Sequence, residues 1–73
     1  MRVTRIDFET GWSGMSLELT KPEIIEFIEL LTLLKDEKMD HFHARSDWSG
    51  EPTIGDIEFF MGSDDQERNL YFE

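Results

Sequence analysis

From Arg2 to Glu9 the apolar residues Ile6 and Phe8 alternate with Arg5, Asp7 and Glu9. This period of two predicts a strand over 2–9 with one wet face. Met15, Leu17 and Leu19 alternate in the same way with Ser16 and Glu18. Between the runs, Gly11-Trp12-Ser13-Gly14 predicts the turn of an antiparallel hairpin. The rhythm then changes. Ile24, Phe27, Ile28, Leu31 and Leu34 recur at three- and four-residue spacing, Ile25, Leu30 and Leu33 widen the stripe, and Glu26 and Glu29 stay outside it. The spacing predicts a helix over 21–34 whose broad apolar face suits packing on a sheet. Thr20-Lys21-Pro22-Glu23 predicts its start: Thr20 caps free backbone donors, Glu23 reaches back to the Thr20 amide, and proline is tolerated in the first turn. Lys35-Asp36-Glu37-Lys38 ends the helix in a charged loop.

Met39 to Arg45 predicts a third strand, with Phe42 and Ala44 facing the helix and His41 and His43 on the opposite face. Ser46 to Thr53 is a loop. Ile54 to Met61 predicts a fourth strand, with Ile57, Phe59 and Met61 on one face and Asp56, Glu58 and Phe60 on the other. Gly62 to Arg68 is a polar loop, and Asn69 to Glu73 is strand-like. The order β-β-α-β-β-β predicts a single α+β domain over 1–73: an antiparallel sheet of four to five strands with one helix packed on one face. The uncovered face is expected to carry some of Arg5, Asp7, Glu9, His41, His43, Glu58, Phe60 and Tyr71. Such a mixed face is either solvated or a partner-binding or homodimer face, since exposed aromatics among charges resemble interface composition.

Composition narrows the function classes. The chain has 73 residues, with 17 Asp plus Glu against 7 Lys plus Arg, a net charge of −10. That balance opposes docking on nucleic acid or anionic lipid, which depends on Lys and Arg. It favours a basic protein partner and steers its approach. Residues 1–45 hold nine acids and six bases; residues 46–73 hold eight acids and only Arg68 as a base. An electropositive partner therefore meets the strongest field in the last third. Acidic loops also keep a small protein soluble, which is the plainer account of the same residues. Cysteine is absent, which excludes disulfides and thiolate zinc sites and fits a reducing compartment. No apolar run approaches a membrane span, and the first residues lack a signal-peptide core, so a cytoplasmic location is expected.

Candidate chemistry is sparse. His41 and His43, two apart on one strand, point the same way and are the residues most suited to a ligand or a pH response. No third histidine or cysteine completes a zinc site, so no metal and no cofactor are expected. No serine sits in a nucleophile motif, and Gly11 and Gly14 lack the strand-loop-helix setting of a phosphate loop. The chain is read as non-catalytic. Trp-Ser-Gly occurs at 12–14 and again at 48–50, with flanks that do not match. Each Trp is either a cover at a hairpin end or an exposed binding anchor.

Asp40-His41-Phe42-His43, followed by Asp47-Trp48-Ser49-Gly50-Glu51, resembles the immunity protein 32 family of bacterial polymorphic toxin systems. In that family a helix precedes a His-aromatic/aliphatic-His strand, a Trp-Gly-Gly loop and another strand. The likeness covers roughly residues 17–61; Ser49 stands for the first loop glycine, and Ala44-Arg45 for a more apolar pair. It implies a stoichiometric inhibitor that binds a toxin and has no reaction of its own. The residue-level reading agrees in kind: a non-catalytic acidic protein that blocks a basic partner, such as a toxin or nuclease-like effector. Candidate contact residues are Asp47, Trp48, Glu51, Glu58, Phe60, Asp64, Asp65, Glu67 and Tyr71. Two alternatives stand beside it: a phage counter-defence (anti-restriction or anti-CRISPR) inhibitor or DNA mimic, and a small ligand- or metal-binding domain using His41 and His43.

Overall fold

The computed structural model describes residues 1–46 and 54–73. Among them are strands β1 (Arg2–Asp7) and β2 (Ser13–Glu18), helix α1 (Lys21–Lys35), and strands β3 (His41–Arg45) and β4 (Asp56–Phe60). The architecture is α+β: among the described residues, one helix and two antiparallel hairpins.

β1 pairs with β2 from Arg2 opposite Glu18 to Asp7 opposite Ser13. The chain reverses over Glu9–Gly11, earlier than the expected turn at 11–14. Glu9 (φ 58°) and Gly11 (φ 87°) both take the left-handed conformation, which glycine adopts freely. The Asp7 carboxylate accepts the Glu9 N–H at 2.9 Å, and the Phe8 N–H donates to the Trp12 carbonyl at 3.2 Å. Ser13 and Gly14 thereby become strand residues. Gly14 lies under the Phe8 ring, where an added Cβ would stand 2.8 Å from the ring edge.

α1 begins as the sequence predicts. The Glu23 N–H donates to Thr20 Oγ1 at 3.4 Å, and the Thr20 N–H donates to Glu23 Oε1 at 2.9 Å, closing the capping box. The amino group of Met1 pairs with Glu23 as well, tying the start of β1 to the helix N-terminus. At the other end Glu37 N–H donates to the Leu34 carbonyl and Lys38 N–H to the Leu33 carbonyl. This is a Schellman closure, with Glu37 (φ 58°) in the left-handed position glycine usually holds.

β3 pairs with β4 so that Phe42 opposes Phe59 and Ala44 opposes Ile57. The Phe42 and Phe59 rings stack at 4.8 Å, and Phe27 of α1 sets its ring edge-on to both, at 6.0 and 5.3 Å. These three rings join helix to sheet. Among the described residues Leu34, 7% exposed, is the buried hydrophobic residue, with Phe27 and Leu30 half-buried beside it.

Three expectations are corrected. Among the described residues the strands form two separate two-stranded sheets, not one sheet of four to five. A cleft of about 610 Å³ lies between the hairpins, lined on one side by Met1, Arg2 and Val3 and on the other by Phe42 to Ser46. Residues 69–73 contain no strand; alternation supplies a pattern but no partner edge. The helix stripe is only partly covered: Phe27, Leu30 and Leu34 face inward, while Ile24 is 45% and Ile28 58% exposed. A sheet two strands wide is too narrow to cover a stripe of that breadth. The chain exposes 7157 Å² of surface, against about 4,700 Å² for a compact folded chain of this mass.

Candidate partner-binding surface

The face of β3–β4 turned away from α1 carries three cross-strand pairs: His41 with Phe60, His43 with Glu58, and Arg45 with Asp56. They share this face because strand side chains alternate and the phenylalanines at 42 and 59 claim the helix side. His41 and His43 stand edge to face with ring centroids 5.1 Å apart, as their spacing predicts.

Asp56 is the hub of the charges. Its Oδ1 accepts from Arg45 Nε at 3.0 Å and lies 2.9 Å from His43 Nδ1. Partial loss of hydration pushes the Asp56 carboxyl up, but the hydrogen bonds and charges of His43 and Arg45 outweigh this and hold it below its ordinary value. Glu58, one pair along, makes no ion pair among the described residues. Phe60 is 68% exposed. The face therefore offers a carboxylate and a phenyl ring to solvent beside a pair of histidines.

Past β4 the chain stays exposed. Asp64 and Asp65 sit in a turn closed by the Gln66 N–H donating to the Ser63 carbonyl at 3.1 Å. Asp64, Asp65, Glu67 and Tyr71 are all exposed. Asp47, Trp48 and Glu51 lie outside the described residues. The structure thus brings Glu58, Phe60, His41 and His43 onto one face, and places Asp64, Asp65, Glu67 and Tyr71 on exposed chain that follows it.

Among the described residues no group of three or more His, Asp or Glu side chains is placed to hold a metal ion. His41 and His43 are close enough to act together, but the Nδ1 of His43 is engaged by Asp56. No helix among the described residues is long and apolar enough to cross a membrane.

Of two further exposed features, the first removes the core-cover alternative given for Trp12, and the second escaped the sequence reading. Trp12, at the end of the first hairpin, is 78% exposed and covers no core. A groove of about 350 Å³ runs along β4, lined by Leu31, Leu34, Glu58, Phe59, Phe60, Gly62 and Gln66. The width of the helix stripe was the available signal for it: more apolar residues than a narrow sheet can cover. Comparisons with protein-family models, with curated proteins and with solved structures return no match.

Proposed function

We propose that the chain is a non-catalytic acidic binding protein that neutralises a basic protein partner by occupying its surface, in the manner of a toxin-immunity protein inside the cell. One observation carries this reading. Residues 54–73 hold six acids against Arg68 alone, and exposed Phe60 and Tyr71 lie among those acids. Long-range attraction speeds encounter, and aromatic side chains supply the contact area that is desolvated on docking. The likeness of residues 17–61 to the immunity protein 32 family supports the same reading.

The two contributions separate by experiment. Against a basic toxin domain that the chain binds, the triple change Asp64→Asn, Asp65→Asn and Glu67→Gln is expected mainly to slow association and flatten its salt dependence. Phe60→Ala is expected mainly to speed dissociation and cost about 2 kcal/mol or more. Trp48→Ala, checked first for folding, tests the loop anchor in the same way. Affinity indifferent to salt and to all these changes would overturn the reading.

A further inference from the structure

We infer that the partner docks by adding an extended basic segment to the free edge of β4, beneath the exposed stripe of α1. The inference rests on the reading above and specifies its mode of contact. β4 pairs with β3 on one side, and among the described residues no strand lies on its other side. Unpaired strand edges present backbone donors and acceptors to an incoming strand.

This edge is roofed. The groove along it has Leu31 and Leu34 of α1 above and Glu58, Phe59 and Phe60 of β4 below. Ile28, one turn before Leu31 on the helix stripe and 58% exposed, lies beyond the residues that line the groove and continues the apolar row of α1 into solvent. A strand added here would place alternate side chains under Leu31 and Ile28, where only apolar groups gain. Its other side chains would join the row of Asp56, Glu58 and Phe60, where Glu58 has no counter-ion among the described residues.

Charge selects the occupant. A second copy would bring another −10 and set its own Asp56 and Glu58 on the same face, where opposed like charges destabilise pairing. A segment alternating Lys or Arg with aliphatic residues satisfies both rows. The wider cleft between the hairpins fits that segment less well, because Arg2 and Arg45 line it together with Glu23 and Glu26 and leave it no surplus of acid.

The test uses the full chain, labelled for NMR, and capped synthetic peptides: alternating Lys and Val, the same peptide methylated at every backbone nitrogen, and alternating Glu and Val. The Lys-Val peptide is expected to shift the β4 amides and the Ile28 and Leu31 methyls. Backbone methylation should weaken binding about tenfold or more by removing the strand's donors, and the Glu-Val peptide should not bind. Ile28→Lys, at a solvent-facing position, should weaken Lys-Val binding about tenfold by placing a like charge in the apolar roof, with the melting temperature unchanged. If the methylated peptide binds equally and the shifts gather at Asp64, Asp65 and Glu67, edge docking is wrong and the acidic-binder reading stands. If the Lys-Val peptide does not bind even at millimolar concentration, both are wrong. Shifts confined to the first hairpin or the cleft, or a sedimenting dimer with protected β4 amides, would also overturn the inference.

Discussion

Phe27→Ala removes the side chain through which α1 holds β3 and β4. Full burial of a phenylalanine side chain makes its truncation cost about 3–5 kcal/mol. Phe27 is mostly but not fully buried, so about 2–4 kcal/mol is the expected loss, somewhat below that range. Its two edge-on ring contacts, to Phe42 and Phe59, account for about 0.5–1.5 kcal/mol each within that figure. Phe27→Leu keeps most of the volume and loses the ring geometry, so about 1–2 kcal/mol is expected. Ile25→Ala, at an outward helix position, should stay within about 0.5 kcal/mol of the parent. A chain of this length has about 4–11 kcal/mol of stability in total, so the alanine variant should lose a large share of it. Urea denaturation followed by circular dichroism at the helix band measures all three variants. A loss below about 1 kcal/mol for Phe27→Ala, or an equal loss for Ile25→Ala, would show that the three-ring contact does not hold helix to sheet.

The remaining predictions follow from single sites. Glu37 holds a left-handed position that favours glycine, so Glu37→Gly should stabilise the chain by about 0.5–1 kcal/mol and raise the melting temperature by a few degrees. The Asp56 carboxyl titrates below its ordinary value of 3.8 in the folded chain. Its contribution is therefore complete above that value and lost as pH falls through the lowered one. Asp56→Asn should flatten the acid limb of the stability curve below about pH 4, and melting curves across that range check it. Neutralising Asp64, Asp65 and Glu67 should act on association rate and salt dependence, and the Lys-Val peptide on the β4 edge, as set out above.

The elements with strong local signals were legible in the sequence. The capping box fixed the start of α1, and the reciprocal Thr20–Glu23 hydrogen bonds occur as expected. The alternation in β3 and β4 placed Phe42, Ala44, Ile57 and Phe59 toward the helix and His41, His43, Glu58 and Phe60 away from it, which is the observed register. Each of these depends on residues near one another along the chain. The pairing of one hairpin with the other depends on distant edges, and no local pattern specifies it. The expected burial of Leu31 failed for that reason, since its cover required strands beyond β4. Leu34 and Phe27 carry the packing that Leu31 was expected to share.

The first hairpin shows how a small change in turn position redistributes apolar surface. A turn centred on 11–14 would pair Ile6 with Leu19 and Phe8 with Leu17, gathering the apolar side chains of both strands on one face. The observed reversal over Glu9–Gly11 instead pairs Ile6 with Gly14 and Val3 with Leu17. A shift of register by an odd number of residues sends one strand's side chains to the opposite face. Ile6 and Phe8 therefore share one side of the ribbon, and Val3, Met15 and Leu17 share the other. Neither side is apolar enough to make a core by itself, and Ile6, Phe8, Met15 and Leu17 all remain exposed. The composition of Gly11-Trp12-Ser13-Gly14 fits either reversal. What selects the earlier one is local: the Asp7 carboxylate holds the Glu9 N–H, and Gly11 takes the left-handed turn position. A hairpin closed by its own turn rather than by a shared core keeps apolar surface on both faces.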